Sequence, residues 1–312
     1  RAPVAKGRPG PLVAESIISA ARKHKADLVV MASHGRKGLK RILLGSENGK
    51  ETAEWLAVKN NEYITGQFLW TGADFLGEAH GWPIRISQAG LLDTANHEKP
   101  LYYHRKALWT DALFAKLAAS RTGVTFDETF GWNYPAGEMI TVSCYTNARR
   151  VTLTLNGRPL GSADVTEDCR AVWQVPFEAG ELRAECERGG EIVEDVLATP
   201  GTPARLTLAC DRTALPADGG SVVTLEIALT DAAGRAVIDA DEPVILQIIG
   251  DMTLLGIENG DPQDLTPFTS NARPTYQGRA VAYLRAGTLA GEVRLCAWTR
   301  GGLRQELGFA IG

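Results

Sequence analysis

Apolar residues recur at every second position through the latter part of this 312-residue chain, and that alternation limits its fold more than any other feature. Val223, Leu225, Ile227 and Leu229 alternate with Thr224, Glu226 and Thr230; Val151, Leu153 and Leu155 alternate with Thr152 and Thr154. A strand turns successive side chains to opposite faces, so each run reads as a half-buried strand. Turn signals separate the runs: Asn156-Gly157, Asp218-Gly219-Gly220, Asp231 to Gly234, and Asn259-Gly260-Asp261-Pro262. These residues adopt positive φ or bond their own backbone. Short strands at this spacing predict β-sandwiches. PGTPA at 200–204 marks a boundary, which gives sandwiches over 126–200 and 201–312.

The beginning of the chain is a different sequence population. Residues 1–48 hold ten Lys or Arg against three Asp or Glu, a net of +7, and the remainder carries −11. All 22 aromatic residues and all five cysteines lie after residue 48. LVAESIISAARKHK at 12–25 predicts an amphipathic helix with basic residues in its last turn. DLVVMAS predicts a buried parallel strand, HGRKG a loop, and LKRILLGSE a short helix, together part of an α/β unit. ADLVVMASHGRKGLKRILLGS at 26–46 resembles the end of a universal stress protein. The resemblance implies a nucleotide loop of Gly, two residues, Gly, nine residues, then Gly and Ser or Thr. Gly35, Gly45 and Ser46 fit it, and Ala32 stands where the first Gly belongs. Glycines let backbone amides approach phosphate. The strands that complete such a pocket are missing, so a structural remnant is expected rather than ATP binding. His34 has no second metal ligand nearby and reads as a loop residue.

Residues 49–125 read differently again. KETAEWLAVKN predicts a helix, Thr65 to Trp70 a buried strand, and KPLYYHRKALW a helix with Pro100 in its first turn. GQFLWTGADFLGE, SQAGLLD and KPLYYHRKALW, in that order, resemble the last strand–helix unit of the catalytic barrel in glycoside hydrolase family 2, β-galactosidase-like members above all. The resemblance places Trp70 at the C-terminal end of a barrel strand, lining the sugar site, where an indole face suits sugar C–H groups. Asp74 and Glu78 follow in the same loop. The family's two catalytic glutamates come from earlier strands that are absent here, so Asp74 and Glu78 are expected to orient the loop or bind a sugar hydroxyl, and no residue of this chain is expected to be catalytic. Strands near 28–32 and 65–70, joined by the intervening helices, predict a small two-stranded parallel layer with open edges, the least stable part of the chain.

GWNYPAGEMITVSCYTNARRVTLTLNGRPLG at 131–161, and PARLTLACDRTALPADGGSVVTLEIALTDAAGR with GIENGDP and GRAVAYLRAG, resemble the immunoglobulin-like modules that follow the barrel in that family. The fold class expected is therefore mixed: a partial α/β N-terminal segment, then two immunoglobulin-like β-sandwiches. Trp132, Tyr134 and Trp173 could form a sugar platform, but aromatics in sandwiches are usually core. Glu258, Asn259, Asp261 and Asp264 offer calcium-type oxygens without EF-hand spacing, and a turn explains them. Cys144, Cys169, Cys186, Cys210 and Cys296 show no metal-ligand spacing and are expected as reduced thiols, which points to the cytoplasm.

No metal and no cofactor are expected. The net charge of −4 gives no reason for a nucleic-acid or membrane partner, and no run of 18 apolar residues predicts a membrane helix. The sequence begins at Arg1 without a leader pattern, and reads as a fragment or a chain whose leader is gone. Three functions stay open. The first is a C-terminal fragment of a β-galactosidase-like hydrolase, with carbohydrate as the parent enzyme's partner and no turnover of its own. The second is a carbohydrate- or partner-binding sandwich module. The third is a nucleotide-binding stress protein with an acquired tail.

Overall fold

The structure is a computed structural model that describes residues 55–56, 58–60, 69 and 71–312. The stress-protein-like piece with Gly35, Gly45 and Ser46, the strand expected at 65–70, Trp70 and the two-stranded parallel layer lie outside the described residues.

A hairpin opens the described chain. β1 (Phe75–Gly81) pairs antiparallel with β2 (Ile84–Ser87), with Phe75 opposite Ser87 and Gly81 opposite Ile84. The following loop folds back beneath it: the Leu91 and Leu92 amides donate to the Gly72 carbonyl, and the Asp74 amide to that of Leu92. Helix α1 (Pro100–Trp109) comes next, with Pro100 in the first turn, where its missing N–H has no partner to lose. Trp55 meets Trp109 edge-on, ring centroids 5.8 Å apart.

The first sandwich has a three-stranded sheet of β3 (Ala115–Ser120), β4 (Met139–Thr146) and β7 (Arg170–Pro176), in the order β3-β4-β7. Facing it are β5 (Arg150–Leu155), β6 (Arg158–Asp164), β8 (Glu181–Arg188) and β9 (Glu191–Ala198), in the order β6-β5-β8-β9. Val151, Leu153 and Leu155 are buried, as the alternation requires. Asn156 (φ 52°) and Gly157 (φ 77°) form the β5–β6 turn in the left-handed region that such hairpins need. β3 lies ahead of the boundary expected at 126, yet Leu117 pairs with Cys144 of β4, so this sandwich takes its first strand from the segment assigned to the barrel unit. β4 is buried on both faces. Ile140, Val142 and Cys144 enter the core, while Thr141, Ser143 and Tyr145 are buried on the other side, where Glu128 and His104 of α1 meet Tyr145.

The second sandwich packs β10 (Arg205–Cys210), β12 (Val222–Thr230), β14 (Met252–Glu258) and β16 (Arg279–Ala286), in the order β10-β12-β16-β14, against a five-stranded sheet. That sheet runs β11 (Ala214–Leu215), β18 (Arg304–Ile311), β17 (Gly291–Thr299), β13 (Pro243–Ile249), β15 (Ala272–Pro274). Only the β11–β18 edge is parallel; the other ladders of this sandwich are antiparallel. Leu225, Ile227 and Leu229 are fully buried beside Leu246, Ala282, Leu284 and Leu295. The two sandwiches meet where Gly131 lies against Ile238, with no room for a Cβ, and where Asn133 Nδ2 donates to Asp239 Oδ2 at 2.6 Å.

Candidate functional site

Asp74 is the centre of the loop that follows Trp70. Its side chain is 4% exposed. Oδ1 accepts from the Gly90 amide at 2.8 Å, and Lys99 Nζ reaches Oδ1 at 2.9 Å and Oδ2 at 3.0 Å. Lys99 also donates to the Gln88 carbonyl at 3.0 Å. A Cβ at Gly90 would run into the Asp74 backbone, so glycine is what lets the two loop arms close. Burial pushes the Asp74 pKa up, and the Lys99 charge and hydrogen bonds oppose it. Asp74 thus ties the two arms of the loop together. Glu78 is not brought to it: Glu78 is exposed on β1 with φ 49°.

The same loop is tied to the second sandwich. Asp93 Oδ1 accepts the amides of Ala95 and His97, both at 2.8 Å, and its Oδ2 lies 3.3 Å from His97 Nδ1. His97 Nε2 lies 3.2 Å from Glu226 Oε2 on β12. Burial would lower the His97 pKa, but the bonds to Asp93 and Glu226 outweigh it and raise it. Gly260 sits against the Asp93 carboxylate with no space for a side chain, and Arg85 Nη2 donates to the Asp264 carbonyl at 2.5 Å.

The first sandwich holds the other side. His104 Nε2 lies 2.8 Å from the Asp168 carbonyl, and its ring stacks on Tyr145 at 5.4 Å. Beneath, fully buried Glu128 accepts from Tyr145 Oη and Ser143 Oγ at 2.5 Å and from Arg170 Nη2 at 2.9 Å. Asp74, Lys99, Glu128, Phe130, Tyr276 and Arg279 help line a cavity of about 90 Å³ between the three parts. That is room for waters, well below the size of ordinary ligand pockets.

The remaining candidates have structural partners. Trp132 is fully buried against Phe177 (5.2 Å) and donates to the Glu178 carbonyl at 3.1 Å; Tyr134 and Trp173 pack partly buried on the same core. In the acidic turn, Asp264 Oδ2 and Glu258 Oε1 face the buried Arg273 guanidinium at 2.8 and 3.8 Å, so the chain places its own cation there. Among the described residues no group of three or more His, Cys, Asp or Glu is arranged to hold a metal. Sequence reasoning passed over Lys99, Gly90, Asp93 and His97 as site-forming residues. Lys99 and Gly90 sit inside the very motifs that carried the barrel resemblance.

Residues 206–307 match the model of glycoside hydrolase family 2 C-terminal domain 5. This chain carries a glycoside hydrolase family 2 segment. Residues 137–194 match a domain of unknown function, and residues 11–48 the universal stress protein family. The family 2 segment is similar to beta-galactosidase BoGH2A of Bacteroides ovatus, 32% identical over 255 residues, covering 80% of this chain and 29% of that protein. It is also similar to a Formosa agariphila protein provisionally named a beta-glucuronidase, 31% identical over 248 residues, covering 74% of this chain and 22% of that one. Among solved structures, a glycosyl hydrolase family 2 member from Bacteroides cellulosilyticus superposes with a TM-score of 0.86 at 25% identity, over 96% of this chain and 41% of that chain. The chain therefore spans less than a third of the two curated relatives' lengths.

Proposed function

We propose that the chain is the supporting end of a β-galactosidase-like glycosidase. Residues 51–110 supply the edge of the sugar site, with Trp70 as the sugar platform, and the two sandwiches hold that edge in place. Hydrolysis in the whole enzyme proceeds through two glutamates on barrel strands outside this chain. The observation that supports this most is the Asp74–Lys99–Gly90 clamp: the loop that would follow the sugar-facing Trp70 is locked by a buried ion pair and anchored to the second sandwich through His97 and Glu226. A site edge needs this rigidity, since a platform displaced by an ångström loses its substrate.

Asp74 reaches substrate only indirectly, by setting that loop, because both of its oxygens are engaged by Lys99. The substrate class is a β-glycoside; the relatives' names divide between galactoside and glucuronide, and this reading follows the galactoside. The purified chain, incubated with nitrophenyl β-galactoside and β-glucuronide, is expected to release no nitrophenol above the buffer blank. Release that scales with protein and survives repurification overturns the reading. Saturable galactoside binding that persists after removal of residues 1–110 would favour a binding module in its place.

A further inference from the structure

The core of the first sandwich holds chemistry unrelated to the sugar site. Cys144 of β4 and Cys186 of β8 approach each other from opposite sheets with their Sγ atoms 3.7 Å apart, both fully buried. Each lies on an inner strand of its sheet: β4 between β3 and β7, β8 between β5 and β9. In the ladders Cys144 lies between Leu117 and Ala171, and Cys186 between Val151 and Val193. Ala171 is paired with Cys144 in the ladder, and Ala184 is the buried residue two before Cys186 on the same face. A disulfide needs the sulfurs roughly 2.05 Å apart, and at 3.7 Å they are already in contact with no atom between them.

We propose that Cys144 and Cys186 are a redox pair that closes to a disulfide joining the two sheets, with a low-molecular-weight disulfide such as oxidised glutathione as the oxidant. The Cys186 thiolate attacks one sulfur of the small disulfide, forming a mixed disulfide and expelling a thiolate. Cys144 then loses its proton and attacks Cys186 Sγ, expelling the second thiolate. One S–S bond breaks and one forms, two electrons pass to the oxidant, and the two protons leave with its two thiols. Because both sulfurs are fully buried, exchange takes place when the sandwich opens or before it closes. The bond would close a long loop, with 42 positions separating its ends, the arrangement in which a cross-link restricts the unfolded chain most.

The test is to unfold the full chain, refold it in a buffer of oxidised and reduced glutathione, alkylate the free thiols and analyse the non-reduced digest by mass spectrometry. The expected species joins the Cys144 and Cys186 peptides, two hydrogens lighter than their sum, while Cys169, Cys210 and Cys296 are alkylated. Its Tm should exceed that of dithiothreitol-treated protein by about 10 °C. The folded chain, equilibrated in the same buffer just below its Tm, should give the same species without passing through denaturant. A chain with Cys169→Ser, Cys210→Ser and Cys296→Ser should do so too. Alkylated or glutathione-capped Cys144 and Cys186 in both preparations, or a linked species that melts no higher than the reduced one, overturns the proposal.

Discussion

Lys99→Met tests whether the Asp74–Lys99 ion pair holds its loop shut. Asp74 is 4% exposed and Lys99 23% exposed at the side chain, so removing the lysine strands a buried carboxylate. Breaking a buried pair costs about 3–5 kcal/mol. The Gly90 amide still serves one oxygen, which puts this site at the lower end, about 3 kcal/mol, or roughly 100-fold in the local opening equilibrium. The Gly90 amide is itself the reporter: its exchange with deuterium, followed by mass spectrometry of peptides over 85–95, should accelerate about 100-fold at pH 7. Asp74→Asn should cost less, because the partly exposed ammonium it leaves behind can turn to water. The pH dependence has a definite sign. Burial holds the folded Asp74 pKa above its ordinary 3.8, so the stability linked to this group is full below 3.8 and is lost as pH rises through the folded value. Removing Lys99 raises that value further. The ratio of mutant to wild-type exchange, measured at matched pH, should therefore shrink from pH 7 toward pH 4 as Asp74 takes up a proton. A ratio below about threefold at pH 7, or one that does not change with pH, refutes the reasoning that the pair holds the loop.

Three further outcomes follow from the same contacts. His97→Gln should destabilise by about 1 kcal/mol in urea titrations; the folded His97 pKa lies above 6.5, so the loss should be full below pH 6.5 and fade as pH rises through the folded value. Glu128→Ala removes the shared acceptor of Arg170, Ser143 and Tyr145 and should cost about 3–5 kcal/mol in chemical denaturation. Trp132→Ala should cost a similar 3–5 kcal/mol, whereas Trp82→Ser, at a site 78% exposed, should stay within about 0.5 kcal/mol; equal effects on thermal unfolding would contradict the burial described.

What the sequence disclosed depended on whether the relevant physics was local. β5 and β12 are legible because alternation is a property of neighbouring residues, and the burial of Val151, Leu153, Leu225 and Ile227 follows it. β3 escaped notice because AKLAAS has no alternation, and it is a strand because β4 pairs with it. β4 misleads in the opposite sense. Ile140, Val142 and Cys144 alternate with Thr141, Ser143 and Tyr145, a pattern that reads as one wet face. That face is instead covered, and its polar atoms are satisfied by Glu128, Arg170 and Gln174, residues from other parts of the chain. The site repeats the lesson. Asp74 stands out as an acidic residue after a Trp-Thr-Gly-Ala run, but its role is decided by Lys99, 25 positions away, and by the missing side chain of Gly90. Likewise Glu258 and Asp264 look like ligands in search of a cation until Arg273 is seen between them. In each case the sequence shows a polar group that must be satisfied, and only the fold shows which distant residue satisfies it. Whether such a group works on substrate or on the protein itself is therefore a question about its partners, and at Asp74 those partners belong to the protein.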